Sequence, residues 1–399
     1  MKILFITQYF YPEPFRVNTL AAELVKRGHN VTVLTGFPQY PYGEIYDGYG
    51  FKKPYEKVWN GVNVIRLNVT PRGHNTIGML RNCISYVLKA NGWVRKCKDK
   101  YDVIYVFEVS PVTVGLPAVK YKKKFGIPVL FNVQDLWPEN VIEVLGIDNR
   151  LVIGVINKIV NKIYKNSDRI LCSSTGFVKN IINRGEDERK LVFWPQFCES
   201  PDFDGMFKPS CYDEKYFNIV FTGNIGYAQG LDLLVGSAEL LRDKPVRWYI
   251  VGDGRAKDEL MKKVELSNLK DSVFFIGRVP EKEANSYVRF ADCAYLSFSD
   301  SRLFDLTIPA KLQTYLACGA PVLGAVGGES ADIIRRAECG VVCDKTPDSV
   351  VAKVTEIMAL SSSERDAFRE NAMEYFNSNF NMYKVIDDLE AIIYEVAGK

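Results

Sequence analysis

Twice along this 399-residue chain a nearly unbroken apolar run passes into a helix-forming segment through a polar or glycine-rich turn. The first is Met1–Leu34, MKILFITQYFYPEPFRVNTLAAELVKRGHNVTVL. The second is Asn218–Leu234, NIVFTGNIGYAQGLDLL, followed by YIVGDG at Tyr249–Gly254. Apolar runs without alternation belong to strands buried on both faces, as in a parallel sheet covered by helices. One nucleotide-binding domain needs one such beginning. Two, each opening a half of the chain, predict an α/β protein of two doubly wound, Rossmann-like domains facing a central cleft. Ligands of such sheets bind at the carboxyl ends of the strands, so the turns after IVFTG and YIVG are where chemistry is expected. The length agrees, because single cores stop growing beyond about 250–300 residues.

Strands are expected near Ile3, Asn30, Val62, Val103, Pro128, Arg169 and Leu191, and again near Ile219, Arg247, Val273, Cys293, Val322 and Gly340. Helices are expected from Thr19, Leu80, Val114, Val152 and Gly176 onward. The predicted organisation is an N-terminal domain over 1–197 and a linker over 198–215 containing Pro201, Gly205 and Pro209. A second domain follows over 216–381. The last segment, 382–399, reads as a helix with an apolar stripe of Val385, Leu389, Ile392, Ile393 and Val396 that packs back on the first domain.

Nine scattered cysteines with no C-x-x-C pattern read as reduced thiols in a cytoplasmic protein, not as a disulfide frame or a zinc site. No leader segment and no membrane-spanning apolar stretch is expected. The net charge of +3 conceals a strong asymmetry, because residues 51–100 carry 11 basic and 2 acidic side chains. Such a domain orients toward an anionic surface. No nucleic-acid motif accompanies the charge, whereas Ile77–Val87 and Leu151–Lys165 combine apolar stripes with lysines and arginines, the composition of helices that lie in a membrane interface. Peripheral contact with an anionic membrane is the expectation, with no nucleic acid as partner.

The turn Gly223-Asn-Ile-Gly226-Tyr-Ala-Gln-Gly230 leads into LDLLVGSAELL. Closely spaced glycines before a helix allow backbone N–H groups to approach an anion. Gly252 and Gly254 add a second short turn of that kind. A third segment, Pro309-Ala-Lys311-Leu312-Gln-Thr314-Tyr-Leu-Ala-Cys-Gly319-Ala-Pro-Val, places Pro309 at a helix start and Lys311 in its first turn. A lysine there opposes the helix dipole, a cost that an anion at the same place would offset. Asp202-Phe-Asp204 looks like a D-x-D metal motif, but a hard cation needs several converging oxygens, and no metal is expected there.

In order, RGHNVTVLT, FTGNIGYAQGLD, VGDG, PAKLQTYLACGAPVLG and the QDLWPE at Gln134–Glu139 resemble the retaining glycosyltransferases of family 4, which have the GT-B fold. The resemblance spans nearly the whole chain and is strongest to the subgroup that builds bacterial O-antigen and capsule repeats, including transferases of N-acetyl-L-fucosamine and related 6-deoxy amino sugars. It implies a nucleotide-sugar donor, UDP-linked, on the second domain, a lipid-linked saccharide acceptor on the first, no metal or other cofactor, and work at the inner face of the cell membrane. Where many members have an Arg and a Lys to grip the diphosphate, this chain has Asn224 and Gln229. Where many have a pair of glutamates, it has Asp305 (or Asp300) and Thr314. Gln134-Asp135 occupies the place of a common histidine.

Sugar transfer develops negative charge on the leaving diphosphate, and stabilising that charge is the largest single contribution a protein can make. Lys311, the amides of Gly223–Gly226, Arg255 and Arg278 are the candidates, with Leu312 and Pro309 lining the same segment. Asp135 and Glu139 are placed to orient acceptor or sugar, or to cap the following helix. Glu13 and Arg16, in the first strand-to-helix loop, are candidate acceptor contacts. A nucleotide-sugar 2-epimerase and a catalytically silent membrane subunit of a transferase complex remain as alternatives, whereas a dehydrogenase would need the G-x-G-x-x-G that Met1–Leu34 lacks.

Overall fold

The computed structural model describes residues 1–51 and 55–399, so Lys52 and Lys53 of the basic stretch lie outside the described residues. The chain divides into two units, Met1–Trp194 with Ile386–Lys399, and Pro195–Val385.

The first unit contains β1 (Lys2–Ile6), β2 (Asn30–Gly36), β3 (Val58–Trp59), β4 (Val62–Leu67), β5 (Val103–Glu108), β6 (Val129–Val133), β7 (Arg169–Cys172) and β8 (Leu191–Phe193). They form one sheet in the order β3-β4-β2-β1-β5-β6-β7-β8. All neighbours pair in parallel except β3 with β4. β1 is central, with Ile3 opposite Val31 on one side and Val103 on the other. The chain winds outward from β1 in one direction, then returns to add β5 beyond it. The strand order therefore reverses between β1 and β5, where a crevice opens at the carboxyl edge. The β3–β4 hairpin turns on Asn60 and Gly61, at φ 45° and 80°. Two positive φ values in a two-residue loop are what a type I′ turn needs, and Asn-Gly supplies them at little cost.

The second unit repeats the plan with β9 (Phe217–Thr222), β10 (Val246–Val251), β11 (Val273–Gly277), β12 (Cys293–Ser297), β13 (Val322–Ala325) and β14 (Gly340–Val342), in the order β11-β10-β9-β12-β13-β14. Every neighbouring pair is parallel. Its reversal falls between β9 and β12. Burial of the central strands on both faces agrees with their continuous apolar sequences: Ile219, Val220 and Phe221 have no exposed surface.

Several helices begin earlier than apolar periodicity alone suggests, because a polar side chain caps them. Asn75 accepts from the Gly78 N–H and opens Thr76–Lys96, Asn149 accepts from Leu151 and Val152 and opens Arg150–Asn166, and Ser174 opens Thr175–Asn183. The stretch expected as a linker, 198–215, lies within the second unit: Tyr212 is buried in its core and donates to the Tyr287 carbonyl at 2.8 Å. The final helix, Met382–Ala397, starts in the second unit and ends in the first. There Arg27 reaches Asp387 and Glu390 at 2.5 and 2.6 Å, and Lys399 reaches Asp102 at 2.9 Å.

Candidate donor site and its surroundings

Each strand end at the reversal of the second sheet passes into a turn, and the turns interlock. The Gly223 N–H donates to Val251 O at 2.9 Å, the Ile225 N–H to Asp253 O at 2.8 Å, and the Gly252 N–H to Gly277 O at 2.8 Å. A Cβ on Gly252, where φ is +147°, would sit 1.8 Å from the Gly223 oxygen. These glycines thus serve close backbone packing of β9 on β10. The expectation that the Gly223–Gly226 amides cradle a phosphate is corrected here. Gly223 and Ile225 spend their N–H groups between the turns, and the Gly226 N–H goes to Gln229 Oε1 at 3.1 Å. The Gln229 side chain therefore caps a single 3-10 turn and is not a diphosphate grip. Asn224 stays exposed at the tip.

Lys311 has a different standing. Pro309 caps the helix Ala310–Ala317 in an extended conformation, and Lys311 is its second residue. The lysine's Cε would lie 3.7 Å from a Cβ on Gly223. Its Nζ is buried, sits 4.0 Å from the centroid of the Phe221 ring and 5.8 Å from that of Phe298, and has no hydrogen-bond partner among the described residues. Burial pushes its pKa down to about 7. An ammonium held against two aromatic faces at a helix N-terminus, with no carboxylate among the described residues to neutralise it, is a buried charge left uncompensated. Absence of a side chain at Gly223 leaves the approach open.

The remaining residues of that segment divide. Leu312 has no exposed surface and belongs to the core, so it is withdrawn as a ligand contact. Thr314 returns its hydroxyl to Ala310 O at 3.3 Å within the helix. Asp305 ends the short helix Arg302–Asp305 and packs on Gly327 and Gly328, where a Cβ on Gly327 would meet its Oδ1 at 2.7 Å. Arg255 and Arg278 follow Gly254 and Gly277 at the carboxyl ends of β10 and β11, exposed and without an ion pair among the described residues. β11 is two strand spacings from β9, about 10 Å, which keeps Arg278 at the rim. Sequence reading passed over Glu329. It is buried in the first turn of the helix Gly328–Arg336, directly after β13 and beside Asp305. A glycine pair before a helix start was the available signal.

On the first unit, Glu13 is fully occupied by the fold. Its carboxylate accepts from the N–H groups of Phe10, Gln39 and Tyr40 at 3.1, 2.9 and 2.7 Å, and burial outweighs those bonds in raising its pKa to about 7. It ties the β1 and β2 loops together and is not a free acceptor contact. Arg16 is the first residue of the helix that follows, Arg16–Lys26. Glu139 pairs with Arg184 and accepts from Asn180 at 3.1 Å. Burial raises its pKa, but Arg184 outweighs that and holds it below the usual range. It thereby docks the helix Glu139–Leu145 through Arg184 and Asn180. Asp135 lies at the end of β6 and accepts from the Ser110 N–H and hydroxyl at 3.0 and 2.5 Å.

Behind Asp135 stands Glu108, which the sequence reading did not single out. It ends β5, is completely buried, and accepts the N–H groups of Gln134 and Asp135, both at 3.2 Å. Burial, then the neighbouring Asp135 charge, pushes its pKa well above the carboxylate range. A second polar group gathers at the ends of β1 and β2, where Asn82 donates to Gln39 Oε1 at 3.2 Å and also meets Gln8. Gln8 Oε1, Gln39 Nε2 and Arg66 Nε there are buried without a hydrogen-bond partner. Unpaired buried polar atoms are uncommon, and here they concentrate at a strand carboxyl edge, where ligands of such sheets bind.

Residues 15–196 match the family described as Glycosyl transferase 4-like domain, and residues 203–375 match Glycosyl transferases group 1. Between them the two matches span nearly the whole chain. Among curated proteins, the chain is 23% identical to the putative colanic acid biosynthesis glycosyl transferase WcaI of Escherichia coli K12, over 94% of this chain and 98% of that one. Among solved structures it is similar to the sucrose-phosphate synthase of Thermosynechococcus elongatus, with a TM-score of 0.73 at 13% identity, covering 100% of this chain and 99% of that one. It is likewise similar to Anabaena HepE in complex with UDP, with a TM-score of 0.72 at 13% identity, covering 99% and 100%.

Proposed function

We propose that this chain, a glycosyltransferase of the GT-B fold, transfers a sugar, with retention, from a UDP-sugar bound on the second unit to a lipid-linked saccharide in bacterial surface polysaccharide synthesis. The observation that carries the donor half of this reading is Lys311, a buried ammonium without a counter-ion at the reversal of the second sheet. A diphosphate seated there would complete it. HepE, of like fold, is solved in complex with UDP, and WcaI is named for colanic acid biosynthesis. The closest motif likeness points to a 6-deoxy amino sugar of the N-acetyl-L-fucosamine type.

The chemistry follows from charge. As the sugar–phosphate bond lengthens, the leaving diphosphate gains negative charge, and Lys311, poorly solvated and already positioned, stabilises it with little reorganisation. A fixed cation of the protein thereby takes the part that a divalent metal plays elsewhere, so the reaction proceeds without metal. On the same face, the departing phosphate oxygen accepts the proton of the incoming hydroxyl, and no protein base is needed. Exposed Arg255 completes the phosphate contacts. On the first unit, Asp135, held by Ser110, orients the acceptor, and Glu108 positions Asp135 through its backbone.

Calorimetric titration of the protein with UDP in the presence of excess chelator tests this reading. Binding with one site per chain is expected, weakened at least tenfold by Lys311→Ala. Binding that vanishes with chelator, or that ignores Lys311, overturns it.

A further inference from the structure

In the helix Thr76–Lys96, Ile77, Leu80, Ile84 and Leu88 are between 51% and 65% exposed. They recur at three- and four-residue intervals and so form one stripe down the helix. In Arg150–Asn166, Leu151 and Val155 open a stripe of the same kind, 82% and 58% exposed, and Lys158, Lys162 and Lys165 continue it in solvent. The first helix also ends in exposed bases, Arg95 and Lys96. In each helix the exposed apolar side chains come first, with one exposed arginine (Arg81, Arg150) among or before them, and the exposed bases gather in the last turns.

Topology brings the two together. The connections β4 to β5, β5 to β6 and β6 to β7 all step the same way across the sheet, and right-handed crossovers place their helices on one face. The middle helix, Gly115–Phe125, packs against both of the others. Crossover helices run opposite to their strands, so the apolar turns lie toward the carboxyl edge of the sheet and the basic turns toward the amino edge. Between the three helices is a hollow of 230 Å³ lined by Asn91, Leu116, Val119, Lys120, Lys123 and Lys162. No acidic side chain lines it, none of its lysines has an ion-pair partner among the described residues, and Asn91 Oδ1 is buried without a hydrogen bond.

We propose that this face of the first unit docks on an anionic phospholipid bilayer, with the apolar stripes in the interface and a headgroup phosphodiester seated among Lys120, Lys123 and Lys162. An apolar stripe bordered by lysines matches the two-layer character of a lipid surface. Nucleic acid would leave the stripe without a partner, and a second copy of the same basic face would be repelled. The proposal deepens the reading above by naming the surface through which the enzyme meets a lipid-linked acceptor, and it rests on that reading only for its purpose.

The test is co-sedimentation of the full chain with vesicles of phosphatidylcholine alone and of phosphatidylcholine mixed with phosphatidylglycerol, with UDP affinity measured on the same preparations. Binding to the mixed vesicles at low salt is expected, with release at high salt. The triple variants Leu80→Ser/Ile84→Ser/Leu88→Ser and Lys120→Ala/Lys123→Ala/Lys162→Ala should each lose at least tenfold in vesicle affinity while keeping UDP affinity. Removing Lys244 and Lys262 of the second unit should leave vesicle binding unchanged. Equal binding to neutral vesicles, no binding to either, or retention by both triple variants overturns the proposal. So does a dimer in lipid-free solution that the serine variant abolishes, which would assign the stripe to a second copy. Vesicle binding without UDP binding would leave this docking surface standing and count against the donor site alone.

Discussion

The ammonium of Lys311 lies 4.0 Å from the centre of the Phe221 ring, and no carboxylate or other hydrogen-bond acceptor among the described residues reaches it. An aromatic face compensates a buried charge only in part. The fold thus holds a destabilised cation at the strand edge where a diphosphate is expected, and the first two predictions follow from that relationship.

Replacing Lys311 should separate stability from activity. Lys311→Met keeps the apolar stem and removes the buried charge, so its melting temperature should equal or exceed that of the parent. Transfer should slow by roughly one to two decades, the loss of a charge-assisted contact of about 1.5–3 kcal/mol. Thermal melts and steady-state turnover of the two proteins decide it, and turnover within a factor of about two of the parent ends the assigned role.

Because burial holds the free Lys311 near pKa 7, a bound diphosphate must raise it, and binding must take up a proton when the pH lies above 7. UDP affinity should accordingly fall as the pH is raised from 7 toward 9. Titrations at pH 8 in buffers of different ionisation enthalpy should show proton uptake, and Lys311→Met should abolish that dependence. The same depressed pKa carries a stability signature. Between the folded value and the ordinary lysine value the unfolded chain binds more protons, so this group's contribution to stability rises with pH across that window.

Gly252→Ala should be severely destabilising. Its φ of +147° is unfavourable for any side chain, and the new Cβ would meet the Gly223 oxygen at 1.8 Å. Gly126→Ala is the control, since its φ of +73° is also left-handed but nothing lies within 4 Å. The control should cost about 1 kcal/mol, and Gly252→Ala at least twice that, with UDP affinity lost because the β9 turn must move. Chemical denaturation of both variants measures the difference.

Glu139 and Arg184 should act as one unit. Either single alanine substitution leaves a partly buried charge unpaired, whereas the double substitution removes both, so the double should be less destabilising than the sum of the singles by at least about 1 kcal/mol. A double-mutant cycle in urea reads this directly. Additive singles would mean that the pair contributes nothing to docking the helix Glu139–Leu145.

One anomaly of the candidate site is legible in the sequence alone, and the losses are instructive. Lys311 stood out because a lysine in a first helical turn works against the dipole, a local anomaly that sequence can display. Glycine spacing marked the 223–226 and 252–254 turns correctly as special backbone, but it could not tell whether their N–H groups face a ligand or each other. Glu13 and Glu139 looked like free carboxylates for the same reason: their partners, Gln39 and Tyr40 for one and Arg184 for the other, are distant in sequence. The Asn60–Gly61 hairpin was legible as a dipeptide and was passed over in favour of the longer apolar runs.

What the sequence determined by itself is periodicity and punctuation. Continuous apolar strands required helices on both sheet faces, alternation of strand and helix required parallel pairing, and two such beginnings required two sheets. These are short-range consequences of burying apolar side chains while pairing every backbone group. Tertiary structure decided which polar groups are satisfied. Only when β9 comes beside β10 are the Gly223 and Ile225 amides used up, and only when β5 comes beside β6 does Glu108 find the Gln134 and Asp135 N–H groups. Lys311, brought against Phe221 and Phe298, is left without a hydrogen-bond partner among the described residues. Hydrogen bonds and ion pairs act over a few ångströms in space and are indifferent to separation along the chain, so a site made of them is settled by packing and not by pattern.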